Sequence, residues 1–115
     1  MTTIPPSQIS QLVEVRQGDT QRIIYDQLLL GGTPINLSGS TVTLVFYDPV
    51  AKTVVRRAGD ITVAASGSVQ YQLESDDLAN TGSRLLEWEC VDQLGRELTI
   101  PTTTYIKMNI LPDLR

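Results

Sequence analysis

Thr41-Val42-Thr43-Leu44-Val45-Phe46-Tyr47 decides the fold of this chain. Val42, Leu44 and Phe46 fall on one parity, Thr41, Thr43 and Val45 on the other. A period of two sends successive side chains to opposite faces of a pleated strand. Asp48-Pro49 ends the run, because proline cannot donate to a ladder. The same alternation recurs on both sides of this segment.

Upstream, Leu12 to Arg16 reads as a first strand. Gln17-Gly18-Asp19-Thr20 is a turn, where glycine takes positive φ and aspartate bonds its own backbone. Gln21 to Leu30 is a long second strand of ambiguous register. Ile24, Leu28 and Leu30 share a parity with Asp26, so a bulge is expected near Asp26 or Gln27. Gly31-Gly32-Thr33-Pro34 is expected to be a turn, and Ile35 to Gly39 a hinge.

Downstream, Thr53 to Arg57 and Asp60 to Val63 look like shorter edge pieces. Val69, Tyr71 and Leu73 alternate inward. Ser75 to Gly82 is the one candidate helical turn, with Ser75 as its cap and Asp76 and Asp77 at the positive end of its dipole. Leu86, Trp88 and Cys90 share one face of the next strand, with Glu87 and Glu89 on the other. Gln93 to Arg96 turns into Glu97–Ile100, and Ile106, Met108 and Ile110 face inward from a last strand.

Ten Val, nine Ile and thirteen Thr in 115 residues supply the β-branched side chains such strands favour. The expected fold is all-β: an immunoglobulin-like antiparallel β-sandwich of seven to nine strands, with at most one short helical turn. Residues 1–10 read as an extended N-terminal arm, 11–111 as the sandwich domain and 112–115 as a C-terminal tail.

The chain has no histidine and one cysteine. That excludes Ser-His-Asp and Cys-His catalysis, an intramolecular disulfide, and a zinc site built on several thiolates. Cys90 reads as a small buried hydrophobe. A net charge of −4 argues against nucleic acid as a partner. No apolar run approaches a membrane span. Glu87 with Glu89, and Asp76 with Asp77, are the only paired carboxylates that invite a catalytic reading; strand solvation and helix-start acids explain them more simply. Asp76, Asp77 and Asn80 match no calcium-loop spacing. No catalytic, cofactor or metal residue is therefore expected, and the protein is not expected to be an enzyme. Tyr25, Tyr47 and Tyr105 are the aromatic candidates for a glycan surface. Arg56-Arg57 is a basic pair on an expected edge, suited to discouraging aggregation or to meeting an acidic partner.

One longer pattern is more specific. Val15-Arg16-Gln17-Gly18-Asp19-Thr20 is followed by a strand, then by Gly32-Thr33-Pro34-Ile35-Asn36-Leu37-Ser38-Gly39, then by the alternating strand from Thr41. It resembles the N-terminal immunoglobulin-like domain of phage baseplate upper proteins and related virion β-sandwich proteins. Ala65-Ser66-Gly67-Ser68-Val69-Gln70-Tyr71, Gly82 to Glu89 and Asp92 to Arg96 extend the resemblance, which covers Val15 to Ile110. Gly18, Asp19, Thr20, Gly32, Pro34, Leu37, Gly39 and Trp88 are its expected structural residues, with Gly39 turning a corner between sheets and Leu37 plugging the core beside it.

The resemblance implies a structural component of a tailed-bacteriophage particle, docked in multiple copies in the tail or baseplate and made in the host cytoplasm. Its implied partners are other virion proteins and copies of itself, with no cofactor, nucleic acid or membrane. Ile4, Pro5, Pro6, Leu114 and Arg115 in the terminal segments, with Arg56 and Arg57, are the candidate interaction residues. A capsid decoration or head-fibre attachment protein, and a host-glycan-binding module, are the competing expectations.

Overall fold

The computed structural model describes residues 9–101 and 105–114, with side chains from residue 11 onward. Its elements in chain order are β1 (Ile9–Arg16), β2 (Ile23–Gln27), β3 (Leu29–Leu30), β4 (Thr33–Pro34), β5 (Thr41–Asp48), β6 (Thr53–Ala58), β7 (Asp60–Val63), β8 (Ser68–Gln72), β9 (Gly82–Val91), β10 (Glu97–Ile100) and β11 (Tyr105–Leu111). Two 3-10 turns, Ala64–Ser66 and Ser75–Leu78, are the only helical pieces among the described residues. None of these helices is long and apolar enough to cross a membrane.

The strands form an immunoglobulin-like sandwich. One sheet has the order β1-β11-β9-β5-β6, with β10 also pairing β9. The opposing sheet has the order β2-β8-β7. β11 pairs β9 over Gly82–Leu86 and β10 pairs it over Trp88–Val91, so the two divide one side of the longest strand. β1 joins β11 in parallel, the exception in an otherwise antiparallel ladder set.

Alternation builds the core as read. Leu44, Leu86, Trp88, Ile106 and Met108 from the larger sheet meet Ile24, Val69 and Tyr71 from the smaller. Leu28, Leu37 and Leu78 plug its ends from connections, each at most 1% exposed. Full burial of each such side chain contributes about 2 kcal/mol. Val45 and Leu85 are also buried, but on the outer face, where Val45 lies in register between Arg56 and Glu87 and Leu85 between Tyr47 and Lys107.

Four expectations are corrected. No bulge interrupts β2, which pairs β8 in unbroken register from Ile23 to Gln27. Asp26 keeps the inward parity of Ile24 instead, and the ladder simply stops before Leu28. Leu29–Leu30 is not a continuation of that strand but pairs Thr33–Pro34 in a small hairpin around Gly31-Gly32. The Ser75–Leu78 turn is capped by Glu74 rather than Ser75: Glu74 N–H donates to the Asp77 carboxylate at 2.8 Å. Where at most one short helical turn was expected there are two among the described residues, the second being the 3-10 turn Ala64–Ser66. It ends on Gly67, whose φ is +70°.

Candidate functional site

The densest polar constellation lies where β6, β8 and the Ser75–Leu78 turn meet. Asp77 is the third residue of that turn, and its side chain is 1% exposed. Its carboxylate accepts from Arg57 Nε at 3.0 Å, Tyr71 Oη at 2.6 Å and Glu74 N at 2.8 Å. A buried carboxylate with this many charge-assisted bonds is compensated rather than reactive. Burial first, and then the bond to Asp77, push the Tyr71 phenol above its ordinary range. Tyr71 also meets the Phe46 ring edge-on at 5.8 Å between centroids.

Beside this clamp is a cavity of about 140 Å³ lined by Phe46, Asp48, Thr53, Val55, Arg57, Asp76, Asp77, Asn80 and Arg84. Arg84 is nearly buried; it donates to Ser83 O at 3.0 Å and Asn80 O at 3.2 Å and lies 3.6 Å from Asp48. Asp48 in turn accepts from Val50 N and Ala51 N in its own turn. The charges here hold loops to strands. Asp76, Asp77 and Asn80 do line one cavity, but among the described residues no group of three or more Cys, Asp or Glu side chains could hold a metal.

The basic pair is split. Arg56 lies on the outer face, 2.9 Å from Glu89, and Arg57 on the inner face against Asp77. Each is ion-paired within the chain, and the Arg56 side chain remains 59% exposed. Glu87, on the same outer face, has its pKa raised by burial and then by the Glu89 charge. Burial pushes the Cys90 thiol up to about 11. The tyrosines are divided: Tyr25 is on the smaller sheet, and Tyr47 and Tyr105 are on the larger.

The remaining predicted residues are dispersed. Ile4, Pro5, Pro6 and Arg115 lie outside the described residues, and Leu114 is 83% exposed. Gly18 and Asp19 form the first turn, with Arg16 N donating to Asp19 Oδ2 at 2.9 Å and Thr20 N to Gly18 O at 2.8 Å. Gly32 and Pro34 belong to the small hairpin. Leu37 and Trp88 are core. Gly39, at φ +73°, faces the Gln93 side chain across the end of the sandwich.

Two features escape sequence reasoning. Gly59 carries the chain from one sheet to the other, and a Cβ there would meet the Trp88 ring at 2.6 Å. Asp26 reaches toward the same indole. Trp88 Nε1 has no partner in hydrogen-bonding geometry among the described residues, yet it lies close enough to oppose the rise that burial imposes on the Asp26 pKa.

The fold has a phage counterpart. The N-terminal domain of phage TP901-1 ORF48 superposes with a TM-score of 0.68 at 19% identity, over 87% of this chain and 84% of that one. CopC from Methylosinus trichosporium OB3b gives a TM-score of 0.53 at 11% identity, over 92% and 89%. No family model matches the sequence, and no curated protein does. At these identities both likenesses concern the fold.

Proposed function

We propose that this chain is a structural docking module of a tailed-phage particle, carried in multiple copies in the tail or baseplate. One observation carries the reading: the phage ORF48 domain matches nearly end to end, and the sequence resemblance over Val15 to Ile110 points to the same class of virion module. The chemistry is consistent with it. The ion-paired groups at the candidate site, Asp48, Arg57, Asp77 and Arg84, are spent on joining elements of the sandwich, which suits a part that transmits load rather than one that turns over a substrate. The terminal segments bearing Ile4, Pro5, Pro6, Leu114 and Arg115 are the proposed reach onto neighbouring virion proteins.

Quantitative mass spectrometry of separated tails and heads from the phage that encodes it tests this reading. Enrichment with tails at a fixed copy number is expected. Enrichment with heads moves the module to the capsid as a decoration or head-fibre attachment protein. Absence from both fractions, with specific binding on a glycan array, would replace docking by host-surface recognition.

A further inference from the structure

Among the described residues the two sheets leave five open strand edges: β1, β6 and the four-residue β10, which ends at Pro101, on the larger, β2 and β7 on the smaller. Open edges template pairing with another chain unless something blunts them. β1 carries a register break between Ile9 and Gln11, and β7 one between Ile61 and Val63. β2 sets the carboxylate of Asp26 inward beneath its edge. β6 has an unbroken register with β5 from Thr53 to Ala58 and exposes Val54 and Val55 at 51% and 42%. Its arginines would be its guards, but both are engaged within the chain: Arg56 with Glu89 on its own sheet, Arg57 with Asp77 on the turn that caps the other. The edge is thus apolar, regular and locally charge-compensated.

We propose that this edge pairs with the same edge of a second copy, antiparallel about a two-fold axis at Val55. The ladder fixes which groups are free. Gly59 N donates to Val42 O at 3.0 Å, continuing the β5–β6 register, so Gly59 and Val42 are a hydrogen-bonded pair. Alternation then turns the N–H and C=O of Thr53, Val55 and Arg57 toward β5, and those of Val54, Arg56 and Ala58 outward. Self-pairing must match outward residues with outward residues. With Val55 on the axis, Val54 faces the second copy's Arg56 and Thr53 faces its Arg57, and no like charges meet. Sliding two residues one way opposes Arg56 to the second copy's Arg56. Sliding the other way opposes Arg56 to its Lys52. Like charges directly opposite are destabilising, so the Val55 register is selected. This self-complementarity favours a second copy over an unrelated strand. The pairing rests on the multiple-copy reading only in that copies share one particle.

Sedimentation of the full chain over a concentration series, with three variants, tests the pairing. The expected result is a reversible dimer. Val55→Cys places two thiols at a non-hydrogen-bonded site, where antiparallel Cα atoms approach to about 4.5 Å, within disulfide range. It should form a disulfide-linked dimer under mild oxidation, while Thr53→Cys stays reduced. Val54→Pro deletes an outward N–H without touching the β5 ladder and should weaken association by about tenfold or more. Native Trp88 fluorescence would show that this variant folds. Wild type that remains a monomer throughout, with Val55→Cys staying reduced, overturns the pairing. A monomer still found in tails would do so and leave the docking reading intact.

Discussion

At the scale of single residues, backbone proximity and misplaced charge matter more than the identity of most side chains. Gly67 is the sharpest case. Its φ is +70°, and a Cβ would sit 2.6 Å from Leu28 O and 2.9 Å from Ile35 O, backbone atoms that cannot swing aside. Gly67 O also accepts from Leu28 N at 2.8 Å, which ties the plug residue Leu28 to this corner. Gly67→Ala should cost about 2 kcal/mol or more in urea unfolding, the strain term adding to lost packing of Leu28. Asp26 makes the opposite prediction. Burial raises its pKa above 3.8, so at neutral pH the folded state holds a carboxylate it disfavours. The corresponding stability is present in full below the unfolded pKa and is lost as pH rises through the folded one. Asp26→Asn keeps an acceptor near Trp88 and removes the charge. It should raise the thermal midpoint at pH 7, and the gain should shrink as the pH is lowered through 4; an equal gain at both pH values would contradict the assignment.

At the scale of elements, the Asp77 clamp joins an edge strand, a central strand of the other sheet and a 3-10 turn. Asp77→Ala should cost about 2 kcal/mol, since it leaves the Tyr71 hydroxyl and Arg57 without their acceptor. Alkaline titration reads the same clamp. The Tyr71 pKa lies above 10 in the folded state, so its contribution is intact below pH 10 and falls as the unfolded chain ionises first. The stability difference between wild type and Tyr71→Phe should therefore narrow above pH 10 in urea titrations. Little of this clamp was legible in the sequence. Alternation located every long strand, because burial on one face imposes a period of two. It also put Asp77 at the start of a helical turn. But Arg57 and Asp77 are 20 residues apart, and their meeting depends on β6 closing one sheet while the turn caps the other. No local pattern encodes that. The β3–β4 hairpin was missed for a different reason: two-residue strands are too short to show any period. Asp26 was misread because a charged residue at an inward position looks like a register error until the structure shows the room made for it.

At the scale of the whole molecule, the sandwich should behave as one cooperative unit, since residues from both sheets and three connections share a single cluster. Trp88 is at its centre, 0% exposed, with Gly59 against its ring. Truncating it to alanine should cost about 4 kcal/mol, a large share of the roughly 5–15 kcal/mol available to a domain. The chain carries its own pair of probes for this cooperativity. Trp88 is the sole tryptophan and Cys90 the sole cysteine, and they lie two residues apart on the same inward face of β9. Cys90 is 5% exposed, with its thiol raised to about 11, so at pH 7 it is both shielded and almost wholly protonated. Alkylation by iodoacetamide should thus be negligible in the native state. It should rise in urea along the same transition as the Trp88 emission shift, because either probe is exposed only when the two sheets part. Rapid alkylation without denaturant, or labelling at lower urea than the fluorescence change, would mean that β9 opens locally, and the sandwich would then be a less rigid part than a docking module requires.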